Sequence, residues 1–166
     1  GAVTLTATSV VDTANWNMVL SNTVSGAGAL TKVGAGQLTL AGACSFGGAL
    51  AVSNGTVTLN GSLAHANVGV SAGATLNGSG TLHARILDGV SDTVRALGTA
   101  DLSGLALDLD VSGWLYGRGP FTLVDAAGGT LTGTFASVLD VPAGYSVSYQ
   151  GQKVLLVSSG TLIRIQ

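Results

Sequence analysis

The chain has 166 residues, 46% of them hydrophobic and only 8% charged, with a formal net charge of −2. Disorder needs low hydrophobicity and high net charge, so this balance excludes it. Six Lys and Arg spread over the whole length cannot form the dense basic footprint that nucleic acid requires. All eight acidic residues are Asp and Lys occurs only twice, so the residues that furnish exposed helix faces are nearly absent and the composition predicts an all-β chain.

The stretch from Val33 to Ala84 has no Asp, Glu, Lys or Arg. Gly, Asn, Ser and Thr interrupt it throughout, leaving no run of about 18 apolar residues that would make a membrane-spanning helix. Neither end carries a basic region followed by an apolar core, so no signal peptide is visible and the sequence reads as an excised piece of something longer. Cys44 is the only cysteine, which excludes an internal disulfide and a multi-cysteine zinc site, and no cofactor is expected.

In chain order, the first feature is the run Thr4-Leu-Thr6-Ala-Thr8, echoed later by Thr56-Val-Thr58. Such runs are similar to the threonine arrays of ice-binding solenoids. Two runs that do not repeat at a coil spacing read more simply as exposed strand residues.

Three segments then align, 29–42, 49–61 and 67–78, with equivalent positions 17 to 20 residues apart. Each is a short alternating strand, a Gly-containing corner and a second alternating strand; Leu30 and Val33, then Leu38 and Leu40, supply the apolar positions. A fourth unit follows if Ile86, Val90, Val94 and Gly98 are set against Val68, Ala72, Leu76 and Gly80, 18 residues earlier. A unit this short cannot bury its apolar row alone, but stacked units do so in continuous columns. The period therefore predicts a right-handed parallel β-helix in preference to a β-sandwich of many short strands.

After residue 104 the strands lengthen and aromatic residues gather: Trp114, Phe121, Phe135, Tyr145 and Tyr149. Gln150-Gly151-Gln152 reads as a hairpin turn. A solenoid end exposes unpaired edges and an open core, so a capping segment is expected there. The expected organisation is one domain, with solenoid coils over 1–104 and C-terminal coils plus cap over 105–166.

Leu30-Thr-Lys-Val-Gly-Ala-Gly-Gln-Leu-Thr-Leu-Ala-Gly-Ala-Cys-Ser-Phe-Gly-Gly48 resembles the autotransporter-associated β-strand repeat. Cys44 stands where that family usually has Asn, and Phe46 where it usually has Tyr. The segment from Gly119 to Val138, followed by Tyr145 to Val157, looks like the C-terminal passenger region that often follows such repeats. The resemblance implies a passenger exported across the outer membrane by a β-barrel lying beyond this chain, and hence secretion or display at the bacterial cell surface.

Candidate chemistry is sparse. Asp108 and Asp110 share a strand face about 7 Å apart; with no Glu, Lys or His near them in sequence they read as a solvated face, a weak calcium pair at best. His65 and His83, one 18-residue unit apart, suggest either imidazoles stacked on adjacent rungs or two exposed polar residues. Trp114, Tyr116 and Arg118 alternate, which suits sugar stacking or a protein contact, or else aromatic cover for the core end. Cys44 reads as a small filler near a corner. No Gly-x-Ser-x-Gly elbow occurs.

The sequence thus predicts a non-catalytic structural passenger fragment that scaffolds a surface protein and supports adhesion, self-association or passenger folding, with a host protein, a glycan or another copy as partner. The alternative is a fragment of a carbohydrate-active β-helix. A carboxylate pair beside a basic group on one face would favour that alternative.

Overall fold

Each coil folds as it does because apolar side chains alternate with small polar ones over three or four residues, and each such run can bury only one face. In the computed structural model, which describes residues 1–64, 67–88, 90–112 and 119–159, these runs stack into three sheets, with no helix among the described residues. The architecture is a parallel β-solenoid.

Sheet A contains Val3–Thr4, Val24–Gly26, Ala43–Phe46, Ser62–Ala64, Thr81–Leu87, Ala106–Ser112 and Ser137–Leu139 in that spatial order. Sheet B runs Ser9–Asp12, Leu30–Val33, Leu50–Val52, Val68–Val70, Val94–Ala96 and Phe121–Asp125, then closes with an antiparallel hairpin. Sheet C holds Met18–Leu20, Gln37–Leu40, Thr56–Leu59, Thr75–Gly78, Thr99–Asp101 and Thr130–Thr132. Successive coils therefore pair in register, strand on strand.

Register puts like on like in the interior. Val24, Cys44, Leu63, Leu82 and Leu107 form one column in sheet A. Leu30, Leu50, Val68, Val94 and Val124 form another in sheet B. Leu38, Val57, Leu76 and Ala100 form a third in sheet C. All are buried. Each fully buried Leu or Val contributes roughly 1.5–3 kcal/mol, realised only when coils lie on both sides of it.

The corners need glycine because consecutive backbones touch there. A Cβ on Gly36 would overlap the Trp16 carbonyl of the preceding coil, and Gly34 has φ +79°, in the left-handed region.

The fourth unit is registered differently from the 18-residue alignment. Val94, not Ile86, lies against Val68, and the Asn67 side chain reaches Thr93 across a separation of 26 residues, where the two preceding coils of sheet B register across 20, Leu30 to Leu50, and 18, Leu50 to Val68. An inserted hairpin accounts for the difference: Ile86 and Leu87 pair antiparallel with Ser91 and Val90. Repeat alignment placed Ile86 in the sheet B column because the insertion is itself apolar and alternating.

The C-terminal hairpin is Tyr145–Gln150 against Lys153–Ser158, turning at Gly151 with φ +59°. Lys153–Ser158 lies antiparallel on Phe121–Asp125, so the parallel stack of sheet B ends there. Gln152 Oε1 accepts a hydrogen bond from Leu131 N at 2.6 Å, and Tyr149 Oη accepts one from Phe135 N at 3.1 Å. The cap thus satisfies backbone donors on the final coil that would otherwise invite another chain.

Candidate functional site

Trp114, Tyr116 and Arg118 lie outside the described residues, as does His65. His83 is described, and its register partner on the preceding coil is Ala64, so the 18-residue match between the two histidines is not the pairing of that strand. On its other side His83 faces Asp108, with Nδ1 2.9 Å from the carboxylate Oδ2. Two residues along, Arg85 faces Asp110.

The aspartates are therefore not a bare solvated face, because stacking brings to each a basic residue from the preceding coil. Sequence proximity concealed this, since the partners lie about 25 positions away. In outward form this meets the condition that would favour a sugar-cleaving β-helix. The cavity that His83 lines, with Asp92 and the core residues Leu82, Leu107, Leu123 and Phe135, includes neither Asp108 nor Asp110 and has a volume of about 20 Å³. That is room for a water molecule, not a sugar ring. Each carboxylate faces a basic group across one rung, which makes a ladder of cross-strand pairs.

The most deeply buried charged group is Lys32, which the sequence reading did not single out. It alternates with Leu30, and Val33 is only half-buried, so Leu30 and Lys32 are the inward pair of that strand. Its Nζ donates to the carbonyl oxygens of Val33 at 2.9 Å, Gly34 at 2.7 Å and Asn54 at 3.0 Å. These carbonyls belong to the B-to-C corners of two successive coils. Burial pushes the Lys32 pKa below its usual 10.5, with the Asp12 carboxylate opposing that shift. The signal available in the sequence was parity: Lys32 has the same strand phase as Leu30.

Sheet C carries a polar array on its outer face. Gln37, Thr56, Thr75, Thr99 and Thr130 form one row; Val19, Thr39, Thr58 and Asn77 form the next. The Thr4 run lies off this face, so the two runs are not one array, but single threonines do recur here from coil to coil at separations that unequal coil lengths make uneven. Gln37 Nε2 donates to Thr58 Oγ1, and Thr58 Oγ1 to Asn77 Oδ1, each at 2.7 Å. The row is laced by its own hydrogen bonds along the stack.

Cys44 is a buried filler two residues past the corner at Gly42. It is 1% exposed within the sheet A column between Val24 and Leu63, and burial pushes its thiol pKa up to about 11. No group of three or more His, Cys, Asp or Glu residues suited to a metal ion occurs among the described residues.

Sheet B presents a hollow on its outer face. Ala51, Gly69, Arg95 and Asp125 occupy one outward row on four successive coils, and Asn67, Thr93 and Thr122 stand beside it. The space between Gly69, Arg95, Asp125, Asn67, Thr93 and Thr122, with Ala49 at its edge, is about 580 Å³, and Ala51 lines its continuation along the strands.

Fold and surfaces together define a parallel β-solenoid with a hairpin cap, laced by polar ladders and poor in charge. No family model matches the chain. It is similar to the Adhesin BmaC autotransporter of Brucella suis biovar 1 (strain 1330), with 38% identity over 84 residues, which cover 48% of this chain and 2% of that relative. The chain thus spans a very small part of the length of the relative it matches. That relative is named an autotransporter adhesin.

Proposed function

We propose that the chain is a non-catalytic structural segment of an autotransporter passenger, secreted or displayed on the bacterial surface, whose stacked coils extend an adhesive protein. The observation that carries this reading is a solenoid of in-register coils in a sequence similar to an autotransporter adhesin. The likeness of 30–48 to the autotransporter-associated repeat supports it further, and Lys32 gives that motif a physical role, since its ammonium ties the corners of adjacent coils together. The paired Asp108 and Asp110 serve the stack, not a reaction.

The test uses the full reading frame expressed in its bacterial host, with an epitope tag inserted in the hairpin near Asp88. Antibody labelling and protease clipping of the tag on intact cells are expected, together with reduced attachment to host cells when residues 1–159 are deleted. A tag protected in intact cells would overturn the reading of display. Full attachment by the deleted, displayed protein would overturn the adhesive part.

A further inference from the structure

Gly69 has no structural reason to be glycine. It lies mid-strand between the buried Val68 and Val70, its φ is not positive, and a Cβ built on it would meet nothing within 4 Å. Most glycines at the corners differ, since a Cβ there would strike the backbone of the coil below. Glycine inside a strand costs about 0.5–1 kcal/mol relative to alanine. What it does at position 69 is leave a space.

That space has a defined lining. Beneath it the outward row continues as Ala51, another small residue, and above it stand Arg95 and then Asp125. Asn67 Oδ1 accepts a hydrogen bond from Thr93 N at 2.9 Å, which fixes the carboxamide and leaves its two N–H donors unused by that bond. Thr93 Oγ1 donates to Thr122 O at 2.9 Å. Asp125 is held by Ala127 N at 3.1 Å and by Lys153 at 3.8 Å, whereas Arg95 is exposed and makes no ion pair among the described residues. The hollow continues along the strands past Arg95 toward Ser71 and the exposed Leu97. Its volume of about 580 Å³ is within the roughly 300–1,000 Å³ of small-ligand sites.

We propose that this hollow on sheet B, floored by Ala49 and Gly69 and edged by Arg95, Asp125 and Asn67, binds a neutral saccharide. A pyranose has an apolar ring face bordered by hydroxyls that both donate and accept. The Ala and Gly floor admits the ring face, the Arg95 guanidinium and Asn67 amide donate to hydroxyl oxygens, and the Asp125 carboxylate accepts from a hydroxyl. An acidic sugar would gain at Arg95 but meet the Asp125 carboxylate on the next coil, which Lys153 approaches only to 3.8 Å. A neutral ligand uses both. The proposal deepens the adhesive reading and rests on it for the claim that this face meets a foreign surface.

The test takes the purified chain and a panel of neutral oligosaccharides built from galactose, glucose and N-acetylglucosamine, with sialylated and sulfated glycans and extended peptides as comparisons. Binding is read by saturation-transfer NMR and titration calorimetry. Gly69→Ile fills the hollow without touching the core, and Arg95→Ala removes the charged donor. Each is expected to weaken neutral-glycan binding by roughly tenfold or more, as the loss of one charge-assisted hydrogen bond or of the ring's seat implies. The Gly69→Ile melting temperature should stay level or rise, and Thr39→Val on sheet C should bind normally. Absence of neutral-glycan binding at millimolar concentration, preference for acidic glycans or for peptides, or undiminished binding by Gly69→Ile would each overturn the proposal. Display is read on cells and binding on the purified chain, so either can fail while the other stands.

Discussion

Lys32 Nζ lies 3.0 Å from the carbonyl oxygen of Asn54, so a side chain of one coil holds the backbone of the next from inside the core. Lys32→Met keeps the volume and the apolar stem but leaves the Gly34 and Asn54 carbonyls without this donor, whereas Val33 O keeps its bonds from Thr13 N and Oγ1. Each unsatisfied buried acceptor costs about 1–3 kcal/mol, offset in part by removing a buried charge. A net loss of about 1–3 kcal/mol, seen as a lower urea midpoint, is expected. An unchanged midpoint would show that the carbonyls find other donors.

The same residue sets a pH dependence with a definite sign. Burial lowers the folded-state pKa of Lys32 below 10.5, so between that pKa and 10.5 the unfolded chain binds more protons. The Lys32 contribution to stability therefore rises with pH across that window and levels off above it. The gap in unfolding free energy between the natural chain and Lys32→Met should widen from pH 7 to pH 10.5. Denaturant titrations of the two proteins at matched pH isolate the effect, because other titrations are common to both.

Cys44 should be inert while the protein is folded. Its pKa of about 11 keeps the thiol protonated at neutral pH, and its burial blocks reagents. Alkylation by iodoacetamide at pH 8 is expected only as fast as the coil opens, and fully in denaturant. Rapid labelling in native buffer would contradict its place in the sheet A column. Cys44→Ser puts a hydroxyl between Val24 and Leu63 and should cost about 1–3 kcal/mol, more than a corner filler would.

The outer ladder and the inner columns should differ sharply under substitution. Asp108→Asn weakens a partly exposed pair with His83 and is expected to change stability by about 0–1 kcal/mol. Leu76→Ala, at 0% exposure with a coil on either side, should cost about 2–5 kcal/mol. Equal effects would mean that the ladder carries structure attributed here to the core.

Tyr149→Phe tests the cap. It deletes the acceptor of Phe135 N, and a loss of about 1 kcal/mol is expected by thermal unfolding, with faster hydrogen exchange at Phe135.

Much of the solenoid could be read from the sequence because 29–42, 49–61 and 67–78 are nearly equal in length and alternate strictly. Legibility failed where geometry departs from an even count. The hairpin at Ile86 to Ser91 carries its own alternating apolar residues, so it imitated a coil and displaced Val94 from its partner Val68. The His83–Asp108 pair and the sheet C threonine rows depend on register across those unequal coils. Lys32 was missed for another reason: only apolar residues were counted along that strand, although its parity with Leu30 pointed inward. The hollow at Gly69 left no trace in sequence, since a glycine with a steric duty and one without are spelled alike.

The hairpin inserted between Arg85 and Asp92 leaves Val94 on Val68 and Ala96 on Val70, as though nothing had come between them. Corner length is thus decoupled from the register of the coils, and the insertion adds Ile86 to the core. A lineage carrying this fold can add, lengthen or exchange a corner loop without shifting the pairing of the coils on either side, so the register that keeps the molecule folded stands still while the surface that neighbours encounter changes under selection.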